Sequence, residues 1–520
     1  MQTNVPSATG GHPRLRETSR VPAAGVLFAM ATVALVSSSR IGVTGFWLDE
    51  VSSVVTALDW DRMWEWLRRY EANMWLYYLL LHFWLMLGHS EAVVRGLSVV
   101  AGVATVPAVY GLARRLAGRG AGVVASLLLA TNLFFMRYAQ EARAYSLLVL
   151  LVTASTYFLV REVEEPSPKY WLGFTLCAAA AVYAHFFGIL VLVAQIASLA
   201  WLPRGHAPWR HLAYSGVSLT LLLAPIVLFQ PLNSGQADWL SQPAPSDLWV
   251  LLTRLAGSRS LVVLYGVLCA VAIVPIVRHW GAGGKWTMTD WRHLLVLLWL
   301  VVPPAVAFLV SVLVKPVWVN RYLVMCVPPL ILLGSSGIAR LRRLPLQSVA
   351  VAVLLLLSGR CLLWLYRASP QEDWRSIARF VMANAGEGEP VLFYAYHLRQ
   401  PFEYYYYQLE ANPSRLRLCE LSPEPYRPGG GGRFSDPNGT LLRSIARQYD
   451  HPWLVLGYCW NEALGRDVQR RTVEDVLSEN HRVALERRFG FVIVRRYERP
   501  SAKPPDPPSR GGEDLSSLAR

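Results

Sequence analysis

The sequence predicts a polytopic α-helical membrane protein of about eleven transmembrane helices, followed by a small α/β domain. Composition is the first reason: of 520 residues, 53% are hydrophobic and only 16% charged, with 20 tryptophans, a balance unlike that of water-soluble enzymes. The second is arrangement, because apolar runs long enough to span a bilayer alternate with short basic loops. The third is a change of character near residue 366, where charge rises and short strand and helix patterns begin to alternate. The formal net charge of +15 is spread over the loops rather than gathered on one helix or tail. It therefore reads as a topology signal and excludes a nucleic-acid surface.

Residues 1–20 form a polar tail carrying Arg14, Arg16 and Arg20, expected on the cytoplasmic side. No small-x-small cleavage site follows, so the first apolar run, about 21–39, is expected to remain as a span rather than a cleaved signal peptide. Further spans are expected near 93–112, 121–136, 144–160, 171–185, 186–203, 211–229, 261–277, 293–313, 322–339 and 347–365. The stretch 74–88 is apolar but short and rich in Trp and Tyr, which favour the interface. Loop charge decides how it is treated. If 74–88 does not cross, Arg114/Arg115/Arg119, Arg161/Lys169, Arg204/Arg210, Arg278/Lys285/Arg292 and Arg340/Arg342/Arg343 all share a side with the amino-terminal arginines. The stretch is thus expected to lie in or re-enter the membrane on the outer side.

That topology leaves Asp49, Glu50, Arg68, Arg69, Arg95, Arg137, Glu141, Arg143, His185, Lys315 and Arg321 in outer loops. Adjacent carboxylates at a membrane edge are costly for packing and suited to acid–base chemistry. Outer cations run against the insertion rule and point to an anionic ligand.

The tail divides into expected strands at 390–394, 452–457 and 482–496 and helices near 373–384 and 439–448. The domain plan is a cytoplasmic tail to residue 20, a membrane domain over 21–365, an extracytoplasmic α/β domain over 366–497 and a disordered end over 498–520. Gly429–Gly432 lacks the Lys of a phosphate loop and reads as flexible. Of the six cysteines, at 177, 269, 326, 361, 419 and 459, none forms a C-x-x-C or zinc spacing. Cys419 and Cys459 could pair if the tail is extracytoplasmic.

Four segments resemble the GT-C-type, lipid-sugar-dependent glycosyltransferases, in particular the protein O-mannosyltransferase-like and aminoarabinose-transferase-like branch, glycosyltransferase family 39. They are Phe46-Trp47-Leu48-Asp49-Glu50, Arg137-Tyr138-Ala139-Gln140-Glu141-Ala142-Arg143-Ala144-Tyr145, Tyr183-Ala184-His185-Phe186-Phe187-Gly188, and Asn320-Arg321-Tyr322-Leu323 with Pro328-Pro329. Glu372-Asp373-Trp374-Arg375 is similar to the start of the soluble domain in many bacterial members. Relatives often carry Pro-Pro-Leu where this chain has Asn73-Met74-Trp75. The resemblance implies an integral protein of the bacterial inner membrane with its carboxy-terminal domain outside. It implies transfer of a sugar from a polyprenyl-phosphate carrier to a lipid, glycan or protein acceptor, with inversion.

Asp49 matches the family's first acidic position and is the candidate base; capping of an interfacial helix is the plainer alternative. Glu50 would orient it, contact the acceptor or help place a metal. Glu141 and Arg143 could bind acceptor or sugar, or stabilise a turn as a structural pair. Arg95 resembles an active-site arginine of the mannosyltransferase branch, against simple snorkelling. Lys315 and Arg321 suit a carrier phosphate or a lipid headgroup, and His185 a sugar or phosphate contact or a satisfied core position. Trp60, Trp64, Trp66, Trp75 and Trp84 read as interface anchors or as a stacking platform for a sugar. Two acidic loops could hold a divalent metal ion, but no ligand pattern requires one. A lipid-linked-sugar flippase and a non-catalytic membrane scaffold are the competing functions. The first predicts internal repeats and helices broken at mid-membrane, and the acidic groups here sit in loops instead.

Overall fold

A computed structural model of the chain describes residues 20–69, 73–229, 240–367, 372–394, 396–412, 414–420, 439–457 and 466–500. Most of the amino-terminal tail, Gly429–Gly432, Cys459 and the stretch beyond 500 lie outside the described residues, and with them the expectations of a cytoplasmic tail, a flexible glycine loop, a Cys419–Cys459 bond and a disordered end. The described residues fall into two compact units, 20–45 with 49–367, and 46–48 with those from 372 onward.

The first unit is helical: α1 (Arg20–Ser38), α2 (Leu48–Leu58), α3 (Trp60–Arg69), α4 (Trp75–Trp84), α5 (Glu91–Thr131), α6 (Leu133–Tyr138), α7 (Tyr145–Glu164), α8 (Pro168–Ala184), α9 (Gly188–Leu199), α10 (Trp209–Phe229), α11 (Pro245–Ala256), α12 (Arg259–Gly281), α13 (Met288–Leu313), α14 (Val327–Ala339) and α15 (Leu344–Arg367). Among the described residues, six segments are long and apolar enough to cross a membrane: Glu91–Thr131, Tyr145–Glu164, Arg259–Gly281, Met288–Leu313, Asn320–Ala339 and Leu344–Arg367. The expected eleven is larger because it divides α5 in two and counts α1, α8, α9 and α10 as well. At about 1.5 Å per residue, Trp75–Leu87 reaches roughly 20 Å, short of the ~30 Å hydrocarbon core.

Helix α5 starts at Ser90, whose hydroxyl accepts from Val93 N at 3.4 Å. It is not one rod. Ala117 (φ −145°) and Gly118 (φ +92°) leave helical geometry, a path that only glycine follows without strain at the second position. A Cβ built on Gly122 would lie 2.7 Å from the Tyr110 ring, whereas a straight helix separates these positions by about 18 Å. The chain doubles back there, with Arg114, Arg115 and Arg119 around the turn. The 3-10 turn Asn320–Cys326 and α14 occupy the centre, buried almost continuously from Leu323 to Ile338. Helices α12 and α15 instead expose Val263, Val267, Leu356, Leu363 and Trp364, as hydrocarbon-facing helices do.

The second unit holds a five-stranded sheet of order β2-β1-β3-β5-β4. Its elements are α16 (Trp374–Asn384), β1 (Pro390–Tyr394), α17 (Arg399–Leu409), β2 (Arg417–Glu420), α18 (Gly439–Gln448), β3 (Trp453–Gly457), α19 (Arg466–Ser478), β4 (Arg482–Phe489) and β5 (Val492–Glu498). Strand β1 runs parallel to β2 and β3, while β5 is antiparallel to β3 and β4. The stretch 482–496, expected as one strand, is a hairpin that turns at Gly490. Its outer strand is mostly exposed, so no continuous apolar face marked the break. The Phe46–Leu48 segment groups with this unit: Phe46 N donates to the Tyr405 hydroxyl at 2.6 Å and Leu48 N to Glu372 Oε2 at 3.2 Å.

Candidate active site

Asp49 and Glu50 lie in the first turn of α2, where unpaired N–H groups and the helix dipole favour negative charge. Successive helical residues point about 100° apart, so the two carboxylates enter different surroundings. Glu50 turns inward and is fully buried. Arg95 Nε and Nη2 donate to its two oxygens at 2.7 and 2.6 Å, and Ala142 N donates to Oε1 at 2.8 Å. The remaining Arg95 donors reach the carbonyls of Ile41 (2.6 Å), Thr44 (2.9 Å) and Gly45 (3.1 Å). A guanidinium has five N–H donors, and this one spends them all inside the protein. Glu50 and Arg95 therefore hold each other and fasten both the 41–45 loop and the 139–144 loop to α2.

Arg143 performs a similar service on the other side. Its Nη1 donates to the Asp49 carbonyl (3.1 Å) and to Ser53 Oγ (3.0 Å), while Ser98 Oγ donates back to the Arg143 carbonyl (3.3 Å). The Asp49 carboxylate remains partly exposed and pairs with Arg321 across 3.0 Å from Oδ2 to Nη2. The central 3-10 turn delivers Arg321 at this point, together with Tyr322.

Glu141 sits in the loop between α6 and α7. Arg137 Nε approaches its Oε1 at 3.5 Å, and its Oε2 is buried with no hydrogen-bond partner among the described residues. Burial pushes the carboxyl up to about 7; Arg137 opposes the shift and the charge of Glu50 adds to it. His185 occupies the turn between α8 and α9, where Nδ1 accepts from Phe187 N at 3.2 Å. That bond assigns the ring proton to Nε2, which has no partner among the described residues. Burial, then Arg143 and Arg321, hold His185 neutral, with its pKa lowered to about 3. Its ring packs 4.6 Å from that of Tyr322 and 6.2 Å from that of Tyr145.

Asp49, Glu141, Arg143, His185 and Arg321 thus belong to one neighbourhood. Lys315 is exposed and lies just beyond α13. Three residues were not singled out from sequence. Tyr145 and Tyr322 line the same neighbourhood, and the Tyr145 hydroxyl is buried and unpartnered among the described residues; both lie within the quoted motifs, one and two residues from an arginine. Asn73 Oδ1 accepts from Phe186 N at 3.0 Å and so steadies the His185 turn; the sequence marked it only as part of the departure from Pro-Pro-Leu, with no role attached. Trp60, Trp64, Trp75 and Tyr183 form a chain of rings 5.3–5.7 Å apart. Trp84 donates to the Val93 carbonyl at 2.7 Å. Among the described residues no three His, Cys, Asp or Glu side chains converge as a metal ion would need.

The fold defines the class: a helical membrane protein of GT-C architecture carrying a sheet-containing carboxy-terminal unit. Residues 71–232 match the family described as dolichyl-phosphate-mannose-protein mannosyltransferase. The chain is similar in structure to ArnT from Cupriavidus metallidurans in the apo state, at 14% identity and a TM-score of 0.60 over 91% of this chain and 98% of that one. It is likewise similar to ArnT of the same organism bound to undecaprenyl phosphate, at 13% identity and a TM-score of 0.58 over 91% and 97%. The matched family and these neighbours are glycosyltransferases of the GT-C type. No curated protein sequence matches the chain.

Proposed function

We propose that the chain is a GT-C glycosyltransferase that moves a sugar from a polyprenyl-phosphate donor to an acceptor at the extracytoplasmic face of a bacterial inner membrane. The single observation that carries this reading is the partly exposed Asp49–Arg321 pair, a carboxylate and a guanidinium 3.0 Å apart at the rim of a membrane domain. Transfer from a phosphate carrier needs both. The Asp49 carboxylate takes the proton of an acceptor hydroxyl as its oxygen attacks the anomeric carbon. The bond from that carbon to the phosphate oxygen breaks, the phosphate keeps the electron pair, and Arg321 stabilises the charge it gains. A single displacement inverts the anomeric centre. Glu50, Arg95 and Arg143 are positioning residues that fix the first turn of α2 and hence Asp49, and His185 offers a neutral N–H to sugar or phosphate.

Three findings support the reading: the match to a family that uses a lipid-phosphate sugar, the ArnT-like fold, and the undecaprenyl phosphate bound by that ArnT. The test is sugar transfer in membranes, followed by mass analysis of lipid-linked sugars and acceptors. Asp49→Asn and Asp49→Ala should each lower transfer roughly 10²–10⁴-fold while insertion and carrier binding persist. Unchanged transfer by either variant would falsify the base assignment. Sugar crossing the membrane without bond formation would establish the flippase instead, and neither activity in the unaltered chain would leave the scaffold.

A further inference from the structure

Helix geometry places a charged cavity far from Asp49. Twenty residues of α5 separate Arg95 from Arg115, about 30 Å along the axis, and nineteen of α7 separate Tyr145 from Glu164, roughly 28 Å. Each distance matches the ~30 Å hydrocarbon core, so Arg115, at the far end of the first arm of α5, and Glu164, at the far end of α7, reach the opposite membrane face. There a cavity of about 510 Å³ is lined by Arg114, Arg115, Glu164, His206, Met288 and Arg292. Its charges are organised. Glu164 pairs with Arg115 and, at 2.7 Å, with Arg292, while Arg292 Nη1 donates to the Arg115 carbonyl at 2.9 Å. One carboxylate therefore holds two guanidinium groups in place without neutralising the set. Arg292 Nε is buried with no hydrogen-bond partner among the described residues. Arg114 is exposed and has no hydrogen-bond, ion-pair or ring partner among them.

We propose that this cavity binds a phosphate group, with Arg114 as its main contact and the Arg115–Glu164–Arg292 network as its floor. Guanidinium forks match phosphate oxygens. The cavity also opens at the depth where lipid phosphates lie, so an anionic lipid headgroup and a soluble phosphate ester share the chemistry. The site is independent of the transfer reaction.

The experiment follows thermal unfolding of the full chain in a zwitterionic detergent. It is titrated separately with dihexanoyl phosphatidic acid, glycerol 3-phosphate, inorganic phosphate and dihexanoyl phosphatidylcholine. A saturable rise in midpoint is expected with phosphatidic acid. In Arg114→Gln the half-saturating concentration should increase at least tenfold, with partial recovery in Arg114→Lys, and in Arg321→Gln it should be unchanged. Equal potency of glycerol 3-phosphate or inorganic phosphate assigns the site to a soluble phosphate, and a requirement for acyl chains assigns it to a lipid. Any of three outcomes overturns the proposal: no response to any phosphate, the same response in Arg114→Gln, or loss of the response in Arg321→Gln alone.

Discussion

Arg95 and Glu50 carry opposite charges in a setting that shields them from water, and this governs what their removal does. Arg95→Ala would leave Glu50 buried without its partner, and loss of one member of such a pair costs roughly 3–5 kcal/mol. Replacing both with apolar residues of similar size, Arg95→Met with Glu50→Leu, should recover much of that stability. Transfer should stay low in the double variant, because the 41–45 and 139–144 loops have lost the guanidinium and carboxylate that fasten them to α2. Thermal unfolding and transfer measured on the same preparations separate the two effects; full activity in the stable double variant would contradict the positioning role. Glu141 gives a prediction in pH. Its folded pKa, about 7, lies above the ordinary carboxylate value, so between the two the folded chain binds more protons than the unfolded one. Stability from this group is complete below about pH 4.5, declines as pH rises toward 7 and is constant beyond. Glu141→Gln should remove that decline, so that its midpoint falls less steeply than the parent's over pH 5–7. Parallel curves would show that Glu141 is not held protonated.

Helix α5 marks how far the sequence could be read. The apolar runs at 93–112 and 121–136, with Arg114, Arg115 and Arg119 between them, announce two arms and a turn, because bilayer thickness limits run length and charge collects at the ends. The angle of return was hidden, since it rests on one glycine conformation and on the close approach of Gly122 to Tyr110. Gly122→Leu should therefore destabilise the hairpin by roughly 1–3 kcal/mol, as overpacking does, and Tyr110→Ala should relieve it. A lower unfolding midpoint that Tyr110→Ala leaves uncorrected would place the clash elsewhere. In the carboxy-terminal unit the same contrast appears. Strands β1 and β3 are buried along their whole length and showed as apolar runs. The α17 helix, with Tyr404–Tyr407 consecutive, has no helical period in its aromatics, and β2 is only four residues long, so neither announced itself. At the site, residue types and motif order pointed to Asp49, Glu141 and Arg321. Sequence spacing could not separate an arginine aimed at a ligand from one absorbed by Glu50, because that depends on which way each side chain turns in three dimensions.

On the scale of the molecule, the two ends of the first arm of α5 have different charge environments, and this fixes how the chain should lie in a membrane. The turn near 118 brings Arg114, Arg115 and Arg119 together, and Arg292 joins them through the Arg115 carbonyl. A cluster of that kind strongly favours the cytoplasmic side. The end that holds Arg95 offers that single cation against the cluster, so it adds little to the opposing bias. His89 and Arg119 are both exposed and lie at opposite ends of the first arm. With the reactive native cysteines replaced, His89→Cys should react with a membrane-impermeant maleimide on intact cells, and Arg119→Cys only after permeabilisation. Ala411→Cys, exposed in the carboxy-terminal unit, should follow His89→Cys if that unit is extracytoplasmic. Labelling of position 119 from outside would reverse the orientation and move Asp49 to the cytoplasmic face, where a nucleotide-activated sugar rather than a lipid-linked one would be the accessible donor. The location of the base and the identity of the donor therefore stand on the same measurement.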